Sequence, residues 1–286
     1  MPYPRRSIGD ELDRATSFLT KAGVPNAPRD ALLLIAHFTG RAPSTLRMRL
    51  EEMLEDKYFE FGAQSYKHDI LGERAKGKPV SKIIGSRAFW NEDFRVSTDV
   101  LDPRPETERL IEVALEHPFE RVLDLGTGSG CILISLLQER RGARGVGVDL
   151  SVKALDVARA NSGDAGTNAV ATWMQSDWFS AVEGQFDLIV SNPPYIGVDE
   201  MADLSVDVRD FDPRMALTDE GDGLGCYRII CADVQKFLTP NGRLIVEIGP
   251  TQAAPVSQLF ADASLSQIEV FQDLDGRDRV VSGVLR

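Results

Sequence analysis

A glycine-rich loop between two apolar segments is the feature that most constrains the fold of this chain. Val122-Leu123-Asp124-Leu125 predicts a buried strand, and the loop Gly126-Thr127-Gly128-Ser129-Gly130 leads into a helix that begins at Cys131. A second strand, Val146-Gly147-Val148, ends at Asp149. A strand, a tight glycine loop, a helix and a second strand form a βαβ unit. Such a unit predicts an α/β protein with a parallel sheet.

Asp149 indicates what this unit binds. It lies 23 residues after Gly126, and an acid at about that spacing accepts hydrogen bonds from a ribose diol. The pattern therefore predicts an adenosine-containing cofactor. Two classes remain open at this point. A dinucleotide would bring its pyrophosphate to the helix N-terminus. S-adenosylmethionine would bring an ammonium group, which suits strand-end carbonyls and an acid such as Asp124.

A third strand ends at the same edge of the predicted sheet. Ala171-Thr172-Trp173-Met174 is followed closely by Asp177 and Trp178. In a doubly wound sheet an adenine ring would lie at this strand end, where it needs a polar partner for its amine and an apolar surface for its face. Asp177 and Trp178 suit these two roles, although an acid after a strand is often only part of a turn.

The tetrapeptide Asn192-Pro193-Pro194-Tyr195 follows a fourth apolar strand at residues 186–191. The prolines fix φ at two positions and push Asn192 into an extended conformation, so the loop is stiff. Pro193 and Pro194 have no N–H, and their carbonyls join the Asn192 side-chain oxygen as acceptors suited to an NH2 group. Tyr195 is suited to stacking on a planar substrate. The loop favours methyl transfer to an amide or amino nitrogen, and a plain proline turn is the alternative.

The first 78 residues predict a small all-α bundle. Helical spacing of apolar residues recurs over residues 7–22, 28–40 and 50–75, with a short helix after Pro43. Residues 79–98 are rich in β-prone side chains and predict a hairpin linker that turns at Asn91-Glu92-Asp93. In this linker we expect Trp90 to fill a core, whereas the role of Phe89 is open.

Residues 99–286 predict a seven-stranded, Rossmann-like α/β sheet that is mostly parallel and has an antiparallel end. The last three strands are expected at residues 243–248, 268–271 and 280–284. A rigid Pro103-Arg104-Pro105 segment precedes the helix that begins near Glu106. The acidic segment 201–219 is interpreted either as a lid or as plain surface.

Charge is unevenly distributed along the chain. The net charge is −12, and residues 1–80 carry 13 Lys and Arg against 11 Asp and Glu, which leaves 19 against 33, or −14, for the rest. Because neutralisation of phosphates dominates affinity for duplex DNA, this distribution argues against a catalytic part that clamps long DNA. We therefore expect no direct binding of nucleic acid.

Cysteine, histidine and hydropathy exclude further classes of protein. The three cysteines and the three isolated histidines match no zinc pattern, so no metal site is predicted. No apolar run of about 18 residues and no secretory pattern is present. We expect a cytoplasmic protein without membrane contacts, and a monomer.

Taken in order, these motifs resemble the HemK/PrmC family, the release factor glutamine methyltransferases. The resemblance runs from about Gly77 to the C-terminus, behind a domain that matches only in helical character. It is carried by Gly77-Lys78-Pro79-Val80, Phe89-Trp90, Pro103-Arg104-Pro105-Glu106-Thr107-Glu108, Asp124-Leu125-Gly126-Thr127-Gly128-Ser129-Gly130, Gln175-Ser176-Asp177-Trp178-Phe179 and Ser191-Asn192-Pro193-Pro194-Tyr195-Ile196. Any one segment is widely shared, whereas the ordered set is specific. Asp102 departs from the pattern, since members often carry an apolar residue there.

The resemblance implies a class I methyltransferase domain and a specific reaction. A methyl group would pass from S-adenosylmethionine, leaving S-adenosylhomocysteine, to the side-chain amide nitrogen (N5) of the glutamine in the Gly-Gly-Gln motif of class-1 peptide chain release factors. The helical domain would help to grip the release factor.

The residues above give three candidate sets. The candidate cofactor-binding residues are Asp124, Gly126, Thr127, Gly128, Ser129, Gly130, Asp149, Asp177, Trp178 and Asn192. The candidate substrate-binding residues are Asn192, Pro193, Pro194 and Tyr195, with Phe89, Arg104 and Glu106 bordering the pocket. Asn192, Pro193 and Tyr195 are the catalytic candidates.

Three other interpretations of the sequence remain. An adenine-N6 DNA methyltransferase uses the same acceptor chemistry on an NH2 group, but it needs a flipped base and a cationic surface. A methyltransferase acting on a ribosomal-protein glutamine is separated only by the family resemblance. A catalytically silent cofactor-binding module that docks a partner is the third.

The two candidate groups predict different phenotypes. Asn192→Ala should lower turnover by orders of magnitude with little change in cofactor affinity, because it removes an acceptor aimed at the reacting nitrogen. Asp149→Ala should mainly weaken cofactor binding. Equilibrium binding of S-adenosylmethionine together with single-turnover rates checks both expectations. An equal loss of cofactor affinity in the two variants would contradict the assignment of roles.

Overall fold

The computed structural model describes residues 6–55 and 70–286, and its chain forms two units. The first consists of Met1–Gly85 together with Ser205–Phe211. The second consists of Ser86–Leu204 together with Asp212–Arg286. The sequence predicts boundaries at residues 78 and 98, whereas here the helical unit extends to Gly85 and a short segment from the second half of the chain returns to it.

The described helices of the first unit follow the predicted apolar spacing. They are α1 Ile8–Lys21, α2 Ala27–Thr39, α3 Pro43–Met48, α4 Gly72–Ala75 and α5 Val80–Ile84. Ser7 caps α1, since its hydroxyl accepts from the Asp10 amide at 3.1 Å while its own amide donates to the Asp10 carboxylate. Gly40 ends α2 with a left-handed φ of 65°. Buried side chains of these helices, such as Leu19, Leu34 and Ile35, form one core.

Two sequence predictions about this part of the chain differ from the structure. Residues 50–55 form a turn and a bridge between Met53 and Ser7 instead of the start of a helix, and residues 56–69 lie outside the described part. Val80–Ile84 is helical although its side chains are β-prone. Val80, Ile83 and Ile84 pack against the helical core, and this packing outweighs the local β-propensity.

Ser205–Phe211 contains the short helix α9, Val206–Arg209. A Cβ atom built on Gly77 would lie 2.8 Å from a Val206 methyl carbon and 3.7 Å from the Phe211 ring. The backbone at Gly77, which has a φ of +102°, therefore lies directly against this segment.

The second unit contains a hairpin, a seven-stranded sheet and five further helices. The strands are β1 Ser86–Phe89, β2 Glu92–Arg95, β3 Arg121–Leu125, β4 Arg144–Asp149, β5 Ala171–Gln175, β6 Phe186–Ser191, β7 Leu238–Glu247, β8 Leu265–Gln272 and β9 Asp278–Leu285. The helices are α6 Glu108–Leu115, α7 Cys131–Glu139, α8 Val152–Asp164, α10 Gly225–Phe237 and α11 Ala253–Asp262. Short 3-10 helices occupy Pro105–Thr107, Val198–Asp203 and Arg214–Ala216.

The large sheet has the strand order β5-β4-β3-β6-β7-β9-β8. The pairs from β5 to β7 are parallel, and β9 is antiparallel to both β7 and β8. The predicted seven-stranded, mostly parallel sheet with an antiparallel end is therefore confirmed. Successive strand residues point to opposite faces, so Leu123 and Ile189 lie in a core with α10 and α11, while Val122 and Leu188 lie in a second core with α6 and α7.

The hairpin β1–β2 turns at Trp90 and Asn91, because Phe89 pairs with Glu92. The turn was predicted one to two residues later. Trp90 has a φ of 54°, and its indole N–H donates to a Glu139 carboxylate oxygen at 2.8 Å. Trp90 is only partly buried and packs against the edge of the core, so it does not fill the core as predicted. Phe89, 2% exposed, occupies the core position.

No helix within residues 6–55 and 70–286 has both the length and the apolar character needed to cross a membrane.

Close packing between α7 and β4 predicts a matched pair of stabilities. A Cβ atom at Gly145 would lie 2.5 Å from a Leu133 methyl carbon and 3.1 Å from Val122, so Gly145→Ala should destabilise the protein by about 1–3 kcal/mol through overpacking. Gly163 is an exposed residue of α8 whose Cβ would meet only the Asn168 amide at 3.4 Å, so Gly163→Ala should be neutral or stabilise by up to about 1 kcal/mol. Urea unfolding of both variants measures the difference, and similar midpoints would contradict the packing.

Candidate active site

One cavity of about 530 Å³ lies at the carboxyl ends of the parallel strands in the second unit. Ligands of open α/β sheets bind at this edge, next to the point where the strand order reverses. Strand β3 is that point, since β4 pairs with it on one side and β6 on the other. Of the predicted site residues, the cavity is lined by Gly126, Thr127, Gly128, Ser129, Asp149, Asp177, Trp178, Asn192, Pro194 and Arg104.

The glycine loop follows β3 and brings backbone to the cavity surface. Gly126, Gly128 and Gly130 have φ values of 70°, 56° and 79°, which favour glycine. A Cβ atom on Gly126 or Gly128 would meet no protein atom within 4 Å, so a ligand can approach the backbone there. At Gly130 a Cβ would lie 2.9 Å from the Trp173 ring, so this glycine serves close packing instead. The Asn161 side chain donates to the Ser129 carbonyl at 2.8 Å and anchors the loop.

Asp149, the last residue of β4, is held by backbone amides. One carboxylate oxygen accepts from the Gly128 amide at 2.9 Å, and the other accepts from the Ser151 amide at 2.8 Å. Each oxygen of an ionised carboxylate has a further acceptor position, which leaves two acceptors for a pair of hydroxyl groups. Burial raises the pKa of Asp149, and the hydrogen bonds from Ser151, Gly128 and Leu150 oppose this increase.

Asp124 lies beneath the loop and does not line the cavity. It is fully buried, and one carboxylate oxygen accepts from the Thr127 hydroxyl at 2.5 Å. The other carboxylate oxygen has no hydrogen-bond partner among the described residues. Burial raises the pKa of Asp124 to about 7, the Thr127 hydrogen bond opposes this, and the charge of Asp149 adds to the increase.

Asp177 and Trp178 follow β5 and line the cavity. Trp178 has a left-handed φ of 50°. Its carbonyl accepts from the Ser176 hydroxyl at 2.7 Å, and this bond holds the turn that presents the ring. The structure thus places a carboxylate and an aromatic side chain together at the end of the third strand.

Asn192 follows β6 and is half-buried at the cavity. Its side-chain nitrogen donates to the Thr107 hydroxyl oxygen at 3.3 Å, which leaves the side-chain oxygen as an unused acceptor. The Ser191 hydroxyl donates to the Leu125 carbonyl at 2.7 Å, so the end of β6 is tied to the end of β3 beside Gly126. Asn192 therefore lies in the same cavity as Gly126 and Asp149.

The rest of the tetrapeptide divides between the cavity and the protein interior. Pro194 lines the cavity, whereas Pro193 is buried and does not. Tyr195 does not line the cavity either, and its ring packs against the core beside α10 and α11. The Tyr195 carbonyl accepts from the Gln252 side chain at 2.8 Å, which fixes the exit of the loop.

The three residues expected to border the pocket lie in different environments. Arg104 lines the cavity, and its guanidinium donates to the buried Asp212 carboxylate at 2.7 Å. Glu106 is exposed and outside the cavity lining. Phe89 is buried against Phe94, with ring centroids 6.0 Å apart, and does not reach the cavity. Its apolar ring is the packing element that joins the hairpin to the core below α6 and α7.

Two groups of functional interest were missed from the sequence. In the segment 201–219, which was interpreted as a lid or as plain surface, residues 213–216, 218 and 219 line the cavity together with Glu220 and form part of its wall. Glu247, at the end of β7, is 1% exposed and lies one residue beyond the Ser191–Val246 pair, level with Asn192. An acid directly after the apolar run Leu244-Ile245-Val246 was the available signal, because it places a carboxylate at the same sheet edge.

Within the described ranges, no group of three or more His, Cys, Asp or Glu side chains is arranged to hold a metal ion. The three cysteines are buried and unpaired.

Comparison with known proteins identifies the family. Residues 10–85 match the PrmC N-terminal domain, and residues 92–207 match the methyltransferase small domain. The release factor glutamine methyltransferase of Cereibacter sphaeroides is 46% identical over 96% of this chain and 98% of its own length. The chain belongs to the release factor glutamine methyltransferase family. A second relative, the release factor glutamine methyltransferase of Rhodospirillum rubrum, is 42% identical over 95% of this chain and 83% of its own.

A solved structure supports the fold of this family member. A methyltransferase from Pyrococcus furiosus superposes with a TM-score of 0.53 at 15% identity, over 77% of this chain and 98% of that one. The resemblance to the family, the predicted methyltransferase fold and the prediction of a methyltransferase enzyme are thus confirmed.

Two buried acids predict an unusual pH dependence of stability for this family member. The pKa of Asp124 and that of Glu247 are each raised to about 7, so the folded protein binds more protons than the unfolded chain between about pH 4 and 7. Stability should therefore fall as pH rises through this window, because protons bound by the folded protein are lost.

The thermal midpoint of the ligand-free protein, measured from pH 5 to pH 8, checks this expectation. Asp124→Asn should make the midpoint less dependent on pH, whereas Asp156→Asn, at an exposed position of α8, should leave the dependence unchanged. The same slope in Asp124→Asn and the unmutated protein would contradict the raised pKa.

Proposed function

We propose that this protein transfers a methyl group from S-adenosylmethionine to the side-chain amide nitrogen (N5) of the glutamine in the Gly-Gly-Gln motif of class-1 peptide chain release factors. The observation that carries the proposal is a single cavity lined by the glycine loop, by Asp149 and by the Asn192 loop. The near full-length similarity to relatives named for glutamine methylation of release factors supports the choice of substrate.

The residues present fit S-adenosylmethionine. Asp149 offers acceptor oxygens to the ribose hydroxyls, because Gly128 and Ser151 each donate to a different oxygen of its carboxylate and leave further lone pairs. Trp178 and Asp177 offer a ring and a carboxylate to an adenine. At Gly126 and Gly128 the amino-acid part of S-adenosylmethionine can approach the backbone of the loop, because no side chain lies in the way. The Asp124 oxygen that lacks a partner among the described residues supplies negative potential beneath the loop. When bound, this cofactor supplies an electrophilic methyl group on a cationic sulfur.

Asn192 and Pro194 prepare the acceptor. The nitrogen of a carboxamide is a poor nucleophile because its lone pair is delocalised. Hydrogen bonds from its two hydrogens to the Asn192 side-chain oxygen and to a backbone carbonyl of the proline pair favour the pyramidal nitrogen that attacks a methyl group. Both acceptors are fixed before the substrate arrives, by Thr107 and by the stiffness of the prolines. Orientation and aimed dipoles therefore carry the reaction without a general base, because the nitrogen becomes strongly acidic once it carries the methyl group and then releases one proton to water.

Pro193 and Tyr195 act behind the acceptor in this proposal. Pro193 is buried and fixes the backbone that carries the acceptors. Tyr195 packs against the core, so we assign it to holding the loop and not to stacking on the substrate. Arg104 stays at the cavity wall through Asp212 and presents its remaining donors to the substrate backbone. The helical unit, which matches the PrmC N-terminal domain, is assigned to binding the release factor.

Isotope transfer tests the proposal. Purified protein is incubated with methyl-labelled S-adenosylmethionine and a class-1 release factor, and label should enter the glutamine-containing peptide only. A release factor with Gln→Ala in the Gly-Gly-Gln motif is the matched control and should remain unlabelled. Label on ribosomal protein or on adenine-containing DNA, or none on any substrate despite cofactor binding, would replace this proposal with one of the three alternatives.

A further inference from the structure

Glu247 is a buried acid that the proposed reaction does not use. It is 1% exposed, does not line the cavity, and one of its carboxylate oxygens has no hydrogen-bond partner among the described residues. Burying a carboxylate costs free energy unless hydrogen bonds or charges compensate. Its position at the end of β7 sets it beside Asn192, since Ser191 pairs with Val246.

The groups around Glu247 are two hydroxyls and two charges. Burial raises its pKa to about 7, and hydrogen bonding to Thr107, the charge of Arg279 and hydrogen bonding to Tyr195 lower it, while the charge of Glu106 raises it. The Arg279 guanidinium donates to the Ile248 carbonyl at 3.2 Å and pairs with Asp273 at 3.1 Å. Arg279 is therefore held by other partners, and the hydroxyls of Thr107 and Tyr195 are the hydrogen-bonding groups that lower the pKa of Glu247.

Thr107 connects Glu247 to the acceptor loop. It is 2% exposed, and its hydroxyl oxygen accepts from the Asn192 side-chain nitrogen at 3.3 Å. A hydroxyl has a single hydrogen, and an ionised carboxylate only accepts. When the Thr107 hydrogen points to Glu247, the lone pairs of its oxygen remain for the Asn192 NH2 group.

The direction of this chain matters because an amide has two different ends. A half-turn of the Asn192 amide would exchange oxygen and nitrogen and present donors to an incoming NH2 group. Two donors facing each other would repel the substrate nitrogen, so the enzyme needs one orientation only. Among the described residues, the hydrogen bond to Thr107 is the contact that distinguishes the two ends of the Asn192 amide.

We propose that Glu247 is a positioning residue that acts through Thr107 to hold the Asn192 amide with its oxygen towards the methyl-accepting nitrogen. This inference rests on the proposed function, because it explains how the acceptor of that reaction is oriented. It assigns a role to two residues outside the tetrapeptide: Thr107, directly before α6, and Glu247, at the end of β7.

Substitutions at Thr107 test the hydroxyl. Thr107→Val keeps the shape of the side chain and removes the acceptor. Its kcat should fall by about 10- to 100-fold, which is the loss expected when a catalytic group is misplaced. The affinity for S-adenosylmethionine should stay within about twofold. Thr107→Ser should recover most of the rate. Thr167→Val, at a buried threonine whose hydroxyl bonds Ser162, is the matched control and should keep full activity. An unchanged kcat in Thr107→Val, or a Thr107→Ser as slow as Thr107→Val, would overturn the inference.

Glu247→Gln tests the carboxylate. A glutamine both donates and accepts, so it no longer dictates the direction of the Thr107 hydroxyl, and kcat should fall. In the unmutated enzyme, kcat at saturating cofactor and substrate should rise as pH passes through about 7, because ionisation makes Glu247 an obligate acceptor. In Glu247→Gln this rise should disappear. A variant that retains both the rate and the inflection contradicts the role of Glu247.

A measurement without turnover separates this inference from the proposed function. The side-chain NH2 resonances of Asn192, assigned through their loss in Asn192→Asp, report its hydrogen bond in the 15N-labelled ligand-free protein. Both Thr107→Val and Glu247→Gln should shift them, and Thr167→Val should not. Unshifted resonances overturn the positioning chain even if the release factor is methylated. If the unmutated protein does not methylate the release factor, the proposed function is overturned. The resonance shifts then still show whether Glu247 and Thr107 position the Asn192 amide.

Discussion

Parallel pairing of β3 with β4 on one side and β6 on the other is the constraint on which the site depends. Leu125 pairs with Val148 in one direction and with Ser191 in the other, so three strands end at one level. The next residues along these strands are Gly126, Asp149 and Asn192. Because side chains alternate along a strand, a slip of one residue would move every side chain into the opposite core, and the different packing of the two cores against their helices opposes this. The core thus fixes the geometry of the cavity.

Sequence patterns predicted the elements that are determined locally. The runs of apolar residues before Gly126, Asp149 and Asn192 each form a strand of the sheet. Strands of a parallel sheet are buried on both faces, and a short continuous apolar run is typical of such a strand. Val80–Ile84 was predicted as part of a hairpin and is a helix. Its apolar residues pack on a helical core whose two longest helices, α1 and α2, lie more than 40 positions earlier, and local propensity does not contain that information.

The same distinction separates the site residues that were predicted from those that were not. Asp149 and Asn192 each come at the end of an apolar run that predicts a strand, so their place follows from the strand end. Phe89 ends β1 of the hairpin, outside the seven-stranded sheet, and the pairing of the hairpin decides that it faces the core. Glu247 and Thr107 are 140 positions apart, and only the β6–β7 register and the helix start at Pro105–Thr107 bring both to Asn192. Contacts of this kind depend on the assembled sheet.

The acids around the cavity and the neutral acceptor loop have opposite effects on methyl transfer. In the proposed reaction a positive charge on the donor disappears, so fixed negative charge beside the donor stabilises the reactant more than the transition state. Burial raises the pKa of Asp124 to about 7, which reduces this unfavourable charge near neutral pH, while the Asp149 carboxylate supplies acceptors for binding. Rate acceleration must then come from dipoles aimed at the nitrogen, whose hydrogens become more acidic as the bond forms. An asparagine oxygen and a proline-pair carbonyl meet this requirement. Neither carries a net charge, so neither stabilises the cationic donor before the reaction.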